Sequence, residues 1–158
     1  MNNDVQAADF ATCSSGVCTI TGTIDEDYTM VAGTDYVLSG TVKVGDGNGV
    51  ISSAAEMSAI QAAGVTLTIE PGVHVKGSSD GILLVTRGSK LVADGTASAP
   101  ITFSSLDDNY DGMGEWGGIV VQGFAPQYGA GGTGACFAAG EAWCNVEGEG
   151  ANMQICCY

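Results

Sequence analysis

Three stretches of the chain repeat one pattern: residues 68–77 (TIEPGVHVKG), 85–95 (VTRGSKLVADG) and 115–123 (EWGGIVVQG). Each holds a polar turn with a glycine, a short β-branched strand and a closing glycine. A unit this small cannot bury its own apolar face, so copies must stack and cover one another. Stacked strand-plus-turn units wind into a coil. The expected fold class is therefore all-β, a parallel β-helix (β-solenoid).

Alternation within the strands says which side chains face inward. Leu67 and Ile69 alternate with Thr66 and Thr68, and Val73 and Val75 alternate with His74 and Lys76. Leu91 and Ile119 are expected inside by the same rule. Residues 82–85 (ILLV) are continuously apolar, as befits a strand covered on both faces. Rungs are unequal in length, so residues 95–100 and 106–115 must protrude as loops.

Residues 52–63 break the pattern. Ser52 or Ser53 can cap a helix, Glu56 falls in its first turn, Met57, Ile60 and Ala63 share a face, and Gly64 can end it. One short helix is expected, lying on the first rungs as a side cover or end cap. The domain reading is an irregular arm at 1–18, a coil body at 19–126 with this helical insertion, and a Gly/Cys-rich loop and tail at 127–158.

Composition narrows function by exclusion. The 18 acids against 4 bases leave a net charge of −14. A nucleic-acid binder needs a basic footprint, and an anionic membrane surface would repel this chain. No apolar run is long enough for a transmembrane helix, so no membrane insertion is expected. Residues 1–4 are polar and acidic with no visible leader, so an exported protein is expected to have lost its signal peptide from this sequence.

The 6 cysteines fall in local groups: Cys13 with Cys18, Cys136 with Cys144, and Cys156 beside Cys157. The first two groups, split by small residues, are read as disulfide staples on surface loops. Staples of this kind imply an oxidising compartment, hence an extracellular or cell-surface location reached by export. Sequence leaves the partners of Cys156 and Cys157 open, since 6 thiols permit many pairings.

The motifs EPG at 70–72, RGSKL at 87–91, ADGTASAPITF at 93–103 and WGG at 116–118 occur in this order. The run from about Tyr28 to Gly150 resembles the rungs of large secreted or surface-anchored bacterial right-handed parallel β-helix proteins, common in marine bacteria. The resemblance implies fold and location and carries over no catalytic residue. Such proteins continue past an EGEG run like that at 147–150, so this chain is expected to be the front portion of a longer coil. An exposed terminal rung would then favour homo-oligomers.

Four features carry candidate chemistry. Asp107, Asn109 and Asp111, followed by Gly112, match the first half of a calcium loop, with Glu115 as a further oxygen donor; Ca2+ is the one candidate cofactor. The bland alternative is an acidic surface turn. His74 with Lys76, joined by Arg87 and Lys90 if adjacent rungs bring them close, faintly resembles the basic group of a lyase. Outward polar residues explain the same letters more simply. Trp116 is expected to pack at a rung corner and Trp143 on its neighbouring disulfide, with sugar stacking the minority reading for both. Thr19, Thr21, Thr23, Thr66 and Thr68 form short T-x-T ladders that do not recur on consecutive rungs.

The functional expectation is an extracellular structural or adhesive module that associates with itself or binds surface polysaccharide, with no catalytic residues. The rival is a lyase or hydrolase fragment acting on polysaccharide along a groove of the coil.

Overall fold

The computed structural model describes residues 6–49, 51, 53–107 and 113–124, and the backbone of residues 144–147 and 154–157. Strands in chain order are β1 (Ala11–Ser14), β2 (Val17–Ile20), β3 (Thr23–Ile24), β4 (Tyr28–Met30), β5 (Asp35–Leu38) and β6 (Thr41–Val44). After helix α1 (Ala54–Ala62) come β7 (Thr66–Ile69), β8 (His74–Gly77), β9 (Ile82–Val85), β10 (Lys90–Ala93), β11 (Thr102–Ser105) and β12 (Gly118–Val121). A separate hairpin pairs β13 (Cys144–Glu147) with β14 (Gln154–Cys157).

The strands form three parallel walls. The first sheet runs β1-β2-β5-β8-β11, the second β3-β6-β9-β12 and the third β4-β7-β10. Following the chain, β2, β3 and β4 visit the three walls in turn, and β5, β6 and β7 repeat the circuit one layer up. This is the connectivity of a parallel β-helix. All pairings are parallel except that of β1 with β2 and that of the hairpin β13–β14.

Stacking turns alternation into files. In the first sheet Cys18, Tyr36, Val75 and Phe103 lie one above another. In the second, Ile24, Val44, Val85 and Val121 do the same, as do Val42, Leu83 and Ile119. Tyr28, Leu67 and Leu91 form a file in the third. Most of these side chains are buried and make one continuous core. At about 25 cal/mol per Å² of apolar surface removed from water, such files are the main stabilising term of a fold this thin.

Burial falls off at the last described layer, β10 to β12. Ile119 and Val121 occupy inward register positions but are 39% and 67% exposed. Among the described residues no strand pairs with the far side of β10, β11 or β12. Val73 and Val75 are buried as expected and Leu91 packs partly against the core, whereas Ile119 departs from the expectation.

The opposite end is closed. The stretch expected to be an irregular arm instead folds from Ala11 as a hairpin, and β1 covers the free edge of β2. Its two-residue turn, Ser15-Gly16, has φ of 52° and 82°. Both residues are thus left-handed, the geometry that matches the twist of a tight hairpin and that glycine adopts without steric cost. Phe10 packs edge-on against Tyr28 with ring centroids 5.1 Å apart, closing the bottom of the interior.

Helix α1 is a side cover. Ser53 caps it by accepting from Glu56 N–H at 3.2 Å, and Met57 and Ile60 are half-buried while Ala63 stays exposed. No residue within it is buried. It docks at the corner between the second and third sheets through backbone: a Cβ on Gly64 would fall on the Gly88 carbonyl, and one on Gly88 would fall on that of Ile60. The same corner is tied by Arg87, buried at 1% exposure, whose Nε donates to Gly47 O at 2.7 Å and Nη2 to Gly49 O. Thr86 Oγ1 donates to Val44 O at 2.7 Å and accepts from Gly47 N–H at 3.0 Å.

Candidate functional site

The outward face of the first sheet gathers the polar side chains that register brings together. One file runs Val17, Asp35, His74, Thr102, and the next runs Thr19, Val37, Lys76, Ser104. Neighbouring strands lie about 4.8 Å apart, so each file is a row of side chains at that spacing. Their outward position follows from the alternation that buries Tyr36, Leu38 and Val75 beneath them.

His74 Nε2 and Ser104 Oγ share a hydrogen bond of 2.7 Å. Ser104 is itself buried, 8% exposed, and its hydroxyl donates to Ser105 O at 3.2 Å. A serine hydroxyl has one proton. When that proton goes to the Ser105 carbonyl the imidazole donates to Ser104, and in the other tautomer Nε2 accepts from the Ser104 hydroxyl instead. Asp35, the in-register neighbour of His74, is exposed.

The basic cluster weighed as the rival reading does not assemble, in keeping with the simpler reading of outward polar residues. His74 and Lys76 lie on the first sheet, Lys90 on the third, and Arg87 is buried against the 47–49 loop. A three-walled coil sends successive strands in different directions, so bases close in sequence are set on different walls. Lys43, the remaining base, pairs with Asp46 at 2.7 Å on the second wall.

Of the candidate calcium ligands, Asp107 and Glu115 line one surface hollow of about 410 Å³ with Ser78, Ser79 and Ser105. Asn109 and Asp111 lie outside the described residues, and among the described residues no three His, Cys, Asp or Glu groups come together to hold a metal. Beside the hollow, Asp80 is held below the usual carboxylate range by the Ser78 hydroxyl at 2.6 Å and the Gly40 N–H. That carboxylate fastens one turn onto the turn below. Glu70 does likewise, accepting from Ala32 N–H at 2.8 Å.

Cys13 and Cys18 are joined by a disulfide across the β1–β2 hairpin. Cys136 and Trp143 lie outside the described residues. Trp116 packs against the core and over Gly77, where an added Cβ would strike its ring. Sequence reasoning missed Ser104, Thr102 and Asp35 as companions of His74. An alternation in residues 102–105 (TFSS) would set Thr102 and Ser104 on one face, but the rung beneath them depends on the lengths of intervening loops.

Three walls of parallel strands, a polar outer face and a helical insertion at one corner define a β-helix domain. The match to a family model agrees: residues 22–142 fit the pectate-lyase like beta helix domain, and the chain belongs to that family. No curated protein and no solved structure matches the chain. Among the described residues no helix is long and apolar enough to cross a membrane.

Proposed function

We propose that this chain is an extracellular, right-handed β-helix module with a structural and adhesive role, binding polysaccharide along the outer face of its first sheet. The observation that carries this reading is the file Asp35–His74–Thr102 with Lys76 beside it, hydrogen-bonding groups at strand spacing on the outer face of the first sheet. Membership in a pectate-lyase-like family supports a carbohydrate ligand. The hand follows from the strong preference of parallel crossovers, and the disulfide supports export. A hydroxyl-rich chain can take donors and acceptors from such a face without any reaction. Glycan-array screening followed by calorimetry with the best ligand tests it: Lys76→Ala with Asp35→Ala should weaken binding at least tenfold. Unchanged affinity would overturn the assignment of this face.

Self-association through the open last layer belongs to the same proposal, supported by the exposure of Ile119 and Val121. Calcium held by Asp107, Asn109, Asp111 and Glu115 would rigidify the loop beside that layer. Size-exclusion chromatography with light scattering, run with calcium and with chelator, should give a dimer or larger species. A monomer at high concentration in both conditions removes this part.

The 2.7 Å contact between His74 and Ser104, with Asp35 next in the file, favours a second reading as a polysaccharide lyase or hydrolase fragment. Turnover of an array-selected glycan that survives His74→Ala unchanged would eliminate it.

A further inference from the structure

We propose that Cys144 and Cys157 form a disulfide that staples the β13–β14 hairpin, as Cys13 and Cys18 staple β1–β2. The two strands are antiparallel, and their register sets Cys144 directly opposite Cys157. Directly opposed residues of an antiparallel pair have Cα atoms about 5.5 Å apart when hydrogen-bonded and about 4.5 Å apart when not. Both separations fall inside the span of about 4.4–6.8 Å that disulfides bridge. Backbone register alone therefore brings the two residues within bonding reach, whichever kind of pair they are.

The neighbouring cysteine is not an equivalent partner. Cys156 stands opposite Asn145, and adjacent positions of a strand belong to opposite faces of the ribbon. The first hairpin follows the same rule: Cys13 stands opposite Cys18, the Cα atoms are 4.0 Å apart, and the two are bonded. Pairing Cys144 with Cys157 displaces the Cys136–Cys144 pairing that spacing predicts.

The bond forms by a two-electron oxidation with a small-molecule disulfide such as oxidised glutathione as the oxidant. The Cys144 thiolate attacks it and expels one thiolate. The Cys157 thiolate then attacks the Cys144 sulfur and expels the second, so one disulfide is exchanged for another and two thiol protons are lost to solvent.

Peptide mapping of the full chain tests this. The protein is oxidised with glutathione, its free thiols are blocked at low pH, and it is digested without reduction by a protease cleaving after glutamate. Cuts after Glu141, Glu147 and Glu149 place Cys136, Cys144 and the Cys156–Cys157 pair on three separate peptides. Peptide 142–147 should be linked to 150–158 in the natural chain, in Cys136→Ser and in Cys156→Ser, and unlinked in Cys157→Ser. A link from 142–147 to the Cys136 peptide, a blocked thiol at Cys144, or a link lost in Cys156→Ser but kept in Cys157→Ser would overturn the proposal. The map reads covalent bonds only, so its outcome is separate from glycan binding.

Discussion

The lower layers of the coil and its last layer are built from the same strand type yet differ in what they bury. Leu83 in β9 is fully buried, while Val121, two files of side chains away on β12, is 67% exposed. Propensity and alternation are alike in the two strands, so the difference is one of coverage. A side chain in this architecture gains burial from the layers above and below it, and among the described residues β12 has a strand on one side only. Stability should therefore be concentrated in β2 to β9 and thin toward β12.

The largest expected effect breaks or confirms that gradient directly. Leu83→Ala should cost about 2–5 kcal/mol in chemical denaturation, whereas Val121→Ala should stay within about 0.5 kcal/mol. Equal costs would mean that the last layer is covered in solution and that the contrast is false.

A smaller effect sharpens the role of the helix on the buried side. Gly64→Ala would drive its Cβ onto the Gly88 carbonyl and lever α1 off the corner. The cost should be about 1–3 kcal/mol, with hydrogen exchange accelerated in α1 and unchanged in β8. Uniform acceleration would show that the helix and the coil open together.

Alkaline titration probes the same closed end. Burial, with Tyr36 beside it, pushes the Tyr28 phenol up to about 12. Its unfolded value is near 10, so between those values the native state binds more protons than the unfolded state, and stability falls as pH rises. The contribution is fully present below about pH 10 and is lost through about pH 12. Denaturation midpoints should decline over this window, and Tyr28→Phe should flatten the decline. An unchanged slope would place the alkali-sensitive group elsewhere. The smallest effect belongs to the surface: Asp46→Asn breaks the exposed ion pair with Lys43 and should shift stability by no more than about 0.5 kcal/mol.

Much of the coil was legible in the amino-acid order. The inward set Leu67, Ile69, Val73 and Val75 follows from alternation, and the helix bounds follow from Ser53 and Gly64. The buried outer position of Leu84 was foreshadowed by the continuous apolar run of residues 82–85. The hairpin at Ala11–Ser14 was not foreseen, because its strand has three exposed residues and little apolar pattern to read. The candidate site was half legible: His74 and Lys76 stood out, but Asp35, Thr102 and Ser104 did not.

The chain by itself determined which residues make strands, which side of each strand is apolar, and where a helix interrupts them, because these depend on local steric preference and alternation. Tertiary structure alone decided which residue stands above which. Turns of unequal length leave that choice to the stacking of side chains across layers, and so His74 meets Ser104 while Arg87 is carried to another wall.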